Sequence, residues 1–312
     1  MKSVVLSAKE DDMARGEKRE SSYCLHMVYQ PDSLKPERVF QAMTDMILGF
    51  GTLDNVIVGV LGIHVKTSLL LHEIESGSIR IWLASQLEDI PDEELRKCDL
   101  KAIIGRFLVK GKYATLDWLH SSRKPITHEN LETVGAEITK LGNETKFPAL
   151  LGSCPVNKVA LVQALVKIGD GLARLNEKDM VSFDTGYEKM TLDKQIIISP
   201  AEGETLVTRE SVGNTSTMIL TVKKPDYLGT SQWDFKHGDR TISARLADTD
   251  WLDSFHLRKV DLKPGDAIKA RVTITDDYGF DNEVIRSQYE VVKVIEVLQR
   301  PVELQGDIFE KS

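Results

Sequence analysis

Seven histidines are the residues of this sequence best suited to acid–base chemistry near neutral pH. They are His26, His64, His72, His120, His128, His237 and His256. No two of them have the i, i+4 spacing with which one helix face presents a pair of zinc ligands, and none lies in the sequence context of a catalytic nucleophile. The histidines therefore predict neither a catalytic residue nor a metal site.

Three carboxylates lie close together at Asp248, Asp250 and Asp253. Carboxylate oxygens at this spacing suit a hard cation such as Ca2+. The segment lacks the glycine and the distal glutamate of a helix–loop–helix calcium loop, so we interpret it as a short capped turn of helix with solvated acids. We expect no bound metal.

The sequence contains neither of the glycine patterns that bind nucleotide phosphates, G-x-G-x-x-G and G-x-x-x-x-G-K-[ST]. Gly169-Asp170-Gly171 lies within or at the end of a predicted helix, whereas a phosphate loop follows a strand. We therefore expect no nucleotide cofactor.

Aromatic and basic residues alternate in the last third of the chain. They are Trp233, Phe235, Tyr278, Phe280 and Tyr289, with Lys236, Arg240, Arg245, Lys269, Arg271 and Arg286. On a small barrel they would form a platform on which single-stranded nucleic acid stacks. Alternatively, Trp233 and Phe235 fill the barrel, and the basic residues form its solvated face. The net charge of −8 disfavours nucleic acid, because phosphate contacts need a positive surface.

Strand patterns and turn signals alternate at short spacing in the same region. Thr241–Leu246 and Ala267–Ile274 alternate apolar with polar residues, and Lys263-Pro264-Gly265-Asp266 has type II turn chemistry. This pattern predicts a small β-barrel or sandwich over residues 214–300.

The N-terminal part mixes strands with helices. Ser22–Gln30 is predicted to be a strand, and a helix beginning near Pro36 is expected to weaken or end at Gly49 and Gly51. A hairpin follows, in which Thr67–Ile74 returns as Ser78–Leu83 through a short glycine turn. The fold class predicted for the whole chain is α+β, with a strand, helix and hairpin domain first and the barrel second.

Three helical segments lie between the hairpin and the barrel. The first begins near Pro91 and is interrupted at Gly105 and Gly111. The second, Thr127–Leu141, has Thr127 as its N-cap. The third, Pro155–Leu175, is apolar around most of its circumference, so it must be buried on several sides. It is either a core helix, a helix whose face with Val159, Val162 and Val166 is covered by another subunit, or a helix that contacts a membrane surface.

The domain organisation follows from these patterns. We expect a flexible tail over 1–20, the α+β domain over 21–185, a connector over 186–213, the barrel over 214–300 and a second tail over 301–312. In the connector, only Gln195–Ser199 has a convincing strand pattern. The longest apolar run, Val56–Ile63, is too short to span a bilayer, and no signal peptide is recognisable.

Cysteine usage indicates a reducing compartment. Cys24, Cys98 and Cys154 are odd in number, far apart and without the spacing of a metal site. These features predict a soluble cytoplasmic protein.

Three stretches carry a resemblance: Trp233-Asp-Phe, Thr241-Ile-Ser-Ala-Arg-Leu-Ala-Asp and Tyr289-Glu-Val-Val-Lys-Val. Together with Leu262-Lys-Pro-Gly-Asp, they resemble the C-terminal domain of a loose group of bacterial two-domain proteins from phage-defence or mobile-element loci. The hairpin at Ile74–Ile79 is similar to the N-terminal part of that group. The resemblance implies a two-domain, non-enzymatic bacterial protein, and it assigns no site residue.

The function expected from the sequence is binding. We expect a sensor or adaptor subunit of a bacterial anti-phage system that forms a homo-oligomer and docks a protein partner, for which the products of neighbouring genes are candidates. Binding energy concentrates in aromatic and arginine anchors, for which the candidates are Arg80, Trp82, Trp233 and Trp251. Two alternatives remain open: a nucleic-acid-binding protein that uses the barrel, and an enzyme whose active-site residues are dispersed in the sequence.

Overall fold

The structure is a computed structural model, and its chain separates into two compact units, Met1–Val207 and Thr208–Ser312. It describes residues 22–30, 35, 37–62, 66–75, 79–88, 100–122, 125–145, 154–194 and 197–299. The predicted tails, 1–20 and 301–312, lie outside these residues. Helices and strands alternate in the first unit and strands dominate the second, which confirms the predicted α+β class.

The first unit is built on a five-stranded antiparallel sheet with the strand order β2-β3-β1-β4-β5. Its strands are β1 Ser22–Val28, β2 Lys66–Glu75, β3 Ile79–Glu88, β4 Met180–Asp184 and β5 Lys189–Thr191. Its helices are α1 Glu37–Gly59, α2 Leu100–Ser121, α3 His128–Glu144, α4 Lys158–Ala173 and α5 Pro200–Val207. The predicted first strand and the hairpin strands are present, and Thr127 caps α3 through a capping box, as its sequence predicts.

An aromatic cluster joins the sheet to α1. The rings of Tyr23 and Phe183, on neighbouring strands, lie 5.0 Å apart, and Phe50 of α1 lies 5.5 Å from each. All three residues are fully buried. Rings at these distances contribute more than their buried area alone, so this cluster is the centre of the first core.

Helix α1 continues through Gly49 and Gly51, so the prediction that these glycines end it is wrong. Gly49 lies against α4, and a Cβ at this position would come within 2.6 Å of the side chain of Ile168 and 2.9 Å of its backbone nitrogen. Likewise, α2 runs unbroken through Gly111, where a Cβ would lie 2.9 Å from Ile57. These glycines allow close packing between helices, and that packing outweighs their low helix propensity.

Helix α4 packs against two other helices of the same chain. Besides α1, α5 packs against it, since a Cβ at Gly203 would lie 2.8 Å from Val166 and 3.0 Å from Val162. Val162 is buried, and Val159 and Val166 are half-buried. Helix α4 is therefore packed largely within its own chain, and the expectation that another subunit covers Val159, Val162 and Val166 remains a prediction.

The second unit is a closed five-stranded barrel with the strand order β10-β8-β7-β6-β9. Its strands are β6 Thr208–Lys224, β7 Trp233–His237, β8 Arg240–Leu246, β9 Ala267–Gly279 and β10 Val284–Leu298, and helix α6, Thr249–His256, lies between β8 and β9. Neighbouring strands are antiparallel except β8 and β10, which are parallel. This order, with a helix between the third and fourth strands, is that of the oligonucleotide- and oligosaccharide-binding barrel.

The predicted connector contains regular structure at both ends. Strand β5 belongs to the first sheet, α5 covers α4, and β6 begins at Thr208, before the predicted start of the barrel. Residues 197–199 form no strand, so the strand predicted at Gln195–Ser199 is absent from its described part; residues 195 and 196 lie outside the description.

Among the described helices, none combines the length and the apolar character that a bilayer-spanning helix needs.

Candidate binding surface

Strands β6, β9 and β10 are longer than β7 and β8, and they continue as a three-stranded sheet past the residues that pair with those two strands. We call residues 210–217 of β6, 271–278 of β9 and 284–288 of β10 the projecting sheet. Strand β9 is central, paired with β6 on one side and β10 on the other. Strand β6 pairs with β7 only from Thr221 onwards, and β10 pairs with β8 only from Tyr289 onwards.

One face of the projecting sheet continues the interior face of the barrel and exposes apolar side chains. Tyr278 is directly opposite Val284, and Val212 is opposite Asp276, which precedes Tyr278 by two residues on the same face. Val212 is 48% exposed and Val284 is 51% exposed, while Tyr278 is half-buried. Phe280 lies in the turn after β9, two residues beyond Tyr278, and is 39% exposed. We call these four residues the docking face.

The opposite face is polar and internally bonded. Ser211 donates to Asp277 at 2.6 Å, and Arg286 donates to the same carboxylate at 3.1 Å and forms an ion pair with it at 3.0 Å. The hydroxyls of Thr215 and Thr273 lie 2.9 Å apart. These contacts join all three strands, so the docking face is held on a cross-braced sheet.

The loop between β6 and β7 exposes another apolar residue, Leu228. The Asp226 carboxylate accepts hydrogen bonds from the backbone N–H groups of Leu228, Gly229 and Ser231 and from the Ser231 hydroxyl, at 2.6–3.0 Å. The Ser231 hydroxyl and these N–H groups hold the pKa of Asp226 well below its usual range. Leu228 is 97% exposed at this fixed loop.

The four predicted anchors are divided between the two units. Arg80 and Trp82 are half-buried on β3, in the first unit. The prediction that Trp233 is a binding anchor is wrong, because its side chain is 0% exposed and its ring lies 4.9 Å from that of Phe255, inside the barrel core. Trp251, on α6, is half-buried and stacks on the same phenylalanine at 5.8 Å.

The basic and aromatic residues of the barrel are separated by the alternation of its strands. Phe235 is fully buried beside Trp233, at a ring distance of 6.0 Å. Lys236, the next residue along the strand, is exposed. Trp233 and Phe235 therefore fill the barrel and provide no stacking platform.

A cluster of charged and polar groups lies in the core of the first unit, and the sequence interpretation missed it. Lys112 of α2 forms an ion pair with Asp54 of α1, both with side chains 0% exposed, and its Nζ donates to the Ser85 hydroxyl at 3.1 Å. Ser85 in turn donates to Asp54 at 2.6 Å. The Lys112 Nζ also lies 4.5 Å from the centre of the Tyr23 ring, a cation–π contact.

Burial determines the electrostatics of this cluster. It lowers the pKa of Lys112 and raises the pKa of Asp54, and the attraction between the two opposes both shifts. Burial also raises the pKa of Tyr23, and the nearby Asp54 carboxylate raises it further. A serine beside a lysine is a known nucleophile–base pair. Here, however, the Lys112 ammonium is enclosed and faces a carboxylate, an arrangement suited to fixing the core.

Helical periodicity contained a signal for this cluster. Lys112 is four residues from both Leu108 and Leu116, so it lies on the apolar face of α2. Asp54 follows the buried Leu53 and is one helical turn from the buried Ile57. A charged residue at an apolar position of each of two helices indicates a buried pair.

The acidic segment at the start of α6 is structural. Asp248 is the N-cap of the helix and accepts from the backbone N–H of Val294 at 3.0 Å and from Lys293 at 3.2 Å. The predicted capped turn is therefore present. Within the described ranges, no group of three histidine, cysteine, aspartate or glutamate side chains is arranged to hold a metal ion.

Neither a protein-family model, nor a curated protein, nor a solved structure matches this chain.

Proposed function

We propose that this chain works by binding a protein partner, as a non-enzymatic sensor or adaptor subunit of a bacterial anti-phage system in the cytoplasm. The partner docks on the projecting sheet. The observation that supports this most directly is the docking face, where Val212, Tyr278, Val284 and Phe280 expose apolar surface beyond the closed barrel. Exposed apolar residues grouped on a braced sheet are typical of protein interfaces.

Charges around the docking face define the chemistry of the partner. Glu210 and Asp276 lie on the face itself, and Asp281 and Glu283 lie in the turn that joins β9 to β10. These acids repel phosphate groups, so this surface disfavours nucleic acid and anionic lipid. It suits a protein with an apolar ridge flanked by lysine or arginine.

A second candidate function is binding of nucleic acid at the outer wall of the barrel. The strand order of the barrel favours it, as do the exposed Lys223 and Lys236 on that wall. Two of the aromatic residues that would stack on bases, Trp233 and Phe235, are in the core, however, and the same fold serves many functions. We therefore rank this candidate below the protein partner.

The test is co-expression of the tagged full chain with the products of its neighbouring genes, followed by purification and mass measurement of any complex. Val284→Asp adds a charge to the docking face and should lower partner capture at least tenfold. Gln288→Asp, on the opposite face of the same strand, is the matched control and should leave capture unchanged. The proposal is wrong if Val284→Asp captures as much partner as the wild type.

Binding to a fluorescent single-stranded oligonucleotide separates the two candidates. We expect no salt-sensitive binding at 0.1 M salt. Binding that weakens steeply with salt and is lost in a Lys223→Glu, Lys236→Glu double variant would establish the second candidate instead.

A further inference from the structure

Strand β6 has one edge with which, over most of its length, no described strand pairs. Its first edge pairs with β9 from Thr208 to Thr221, whereas its second edge pairs with β7 only over Thr221–Lys224. Over residues 209–220, no described strand pairs with this second edge. The side chains of residues 209–217 are all exposed.

This edge lacks the features with which proteins prevent edge-to-edge association. Such features are charged side chains, prolines, bulges and short length. From Ser211 to Val222 the strand contains no charged residue and no proline, and its register with β9 is regular from Glu210 to Thr221. An edge of this length and regularity is suited to adding a strand.

We propose that β6 of a second copy of this chain occupies the edge, antiparallel and related by a two-fold axis at Gly213. Gly213 is the centre of the exposed run 209–217, so pairing along the whole run places it opposite itself. The two projecting sheets then form one continuous six-stranded sheet. A C2 interface uses the same patch on both copies, as this pairing does.

The residues of the run are compatible with pairing to themselves. In this register Arg209 is opposite Thr217, Glu210 is opposite Ser216, and Val212 is opposite Asn214, so no two like charges face each other. The small side chains around the axis also allow close approach. Beyond Arg209 and Glu210 the run is uncharged, and the second copy supplies a strand of the same composition.

This interface is distinct from the valines of α4. It includes Val212 of the docking face but does not use the side chains of Tyr278, Val284 or Phe280. Self-association and partner docking are therefore tested by different variants. If Val284→Asp leaves partner capture unchanged while the edge variants below dissociate the dimer, only the proposed function is wrong.

A charge-swap experiment on the purified full chain tests the pairing. Light scattering at micromolar concentration should give twice the monomer mass of 35.0 kDa for the wild type. Gly213→Lys and Gly213→Glu each place like charges across the axis and should give the monomer mass, and an equimolar mixture of the two should restore the dimer. Space is available for both side chains, since a Cβ at Gly213 meets only the Thr275 hydroxyl, at 4.0 Å.

Gln288→Lys is the matched control, because Gln288 and Gly213 are both opposite Thr275 in the same sheet, on opposite edges. This variant should remain dimeric, and circular dichroism should show native folding for all three variants. If a Gly213 variant does not fold, Ser216→Glu replaces it, because it places a second carboxylate opposite Glu210 of the other copy. A monomeric wild type, a dimer that persists in folded Gly213→Lys, or a dimer that Gln288→Lys dissociates would each overturn the proposal.

A disulfide provides a second readout that identifies the register. Opposite residues of antiparallel strands have Cα atoms about 4.5–5.5 Å apart, within the range that a disulfide spans. In a Cys154→Ser background, Gly213→Cys should form a covalent dimer under mild oxidation, and Gln288→Cys should not. Equal cross-linking of the two variants would contradict pairing at this edge.

Discussion

The two units of this protein place their polar groups in opposite ways. The first unit encloses an ammonium and a carboxylate, Lys112 and Asp54, between its helices and beside the Tyr23 ring. The barrel encloses aromatic and aliphatic side chains around Trp233, and its polar braces lie on an exposed sheet. The comparison teaches that the first core contains a buried ion pair among its apolar residues, whereas the core of the barrel is apolar and the bonded polar side chains of its projecting sheet lie outside that core.

The largest effect that would test this comparison is expected at the buried ion pair. Lys112→Met leaves the Asp54 carboxylate buried without its counter-charge, which should cost about 3–5 kcal/mol of the free energy of unfolding. Chemical denaturation followed by circular dichroism measures this loss. A loss below about 1 kcal/mol would show that the first unit does not depend on the pair.

The double variant Asp54→Leu, Lys112→Met is the control for that measurement. It removes both charges together, so it should recover most of the stability that Lys112→Met loses, as apolar replacements of buried ion pairs often do. If the double variant is as unstable as the single one, the loss comes from packing and not from the unpaired charge.

In the barrel, the corresponding change is a truncation in the apolar core. Ile268 is fully buried and lies on the interior face of β9. Ile268→Ala should cost about 2–4 kcal/mol, because it removes buried methyl groups and leaves a cavity. The measurement is denaturation of a fragment spanning residues 208–299. Lys269→Ala, the neighbouring outward residue, should change stability by less than about 0.5 kcal/mol.

The barrel could be predicted more completely than the first unit, for physical reasons. Strands with one face in a core alternate visibly, so Ile268, Ala270 and Val272 indicated the interior face directly, and all three are fully buried. Glycines in helices were misleading, because their effect depends on what packs against them. Gly49 was expected to weaken or end α1, but α4 packs directly against it, and helix propensity says nothing about such a tertiary contact.

The candidate binding surface could be predicted only in part. Tyr278 and Phe280 stood out in the sequence as aromatic residues of the last domain, but Trp233 stood out equally and is in the core. Residue type indicates what is able to bind, whereas strand register decides which side chains face outward. The second edge of β6 is unpaired over residues 209–220 because β7 is short. The sequence of β6 alone gives no information about the length of β7.

Acid should act first on the ion pairs that hold β4 and α4 to α1. Asp179 accepts hydrogen bonds from the Arg38 side chain and from the backbone N–H groups of Gln30 and Asn176. Burial alone would raise its pKa, but these donors outweigh burial and lower it. The pKa of Asp45 is lowered in the same way, against burial, by Lys167 and Arg174.

A lowered folded-state pKa stabilises the fold above the ordinary aspartate pKa of about 4, and this stability is lost as the pH falls through the folded value. Denaturation at pH 7, 5, 4 and 3 should therefore show the first unit losing stability below about pH 4. Asp179→Asn should cost about 1–3 kcal/mol at pH 7 and flatten this acid dependence. An unchanged acid dependence in the variant would exclude Asp179 as its source.

The smallest effect on stability is expected at Leu228. This side chain buries almost nothing in the folded chain, so Leu228→Ala should change the free energy of unfolding by less than about 0.5 kcal/mol. Because Asp226 fixes the loop, Leu228 is presented in one position without a large entropic cost on binding. If the partner also contacts this loop, the same variant should weaken partner capture several-fold, as measured by titration calorimetry. Capture equal to that of the wild type would confine docking to the projecting sheet.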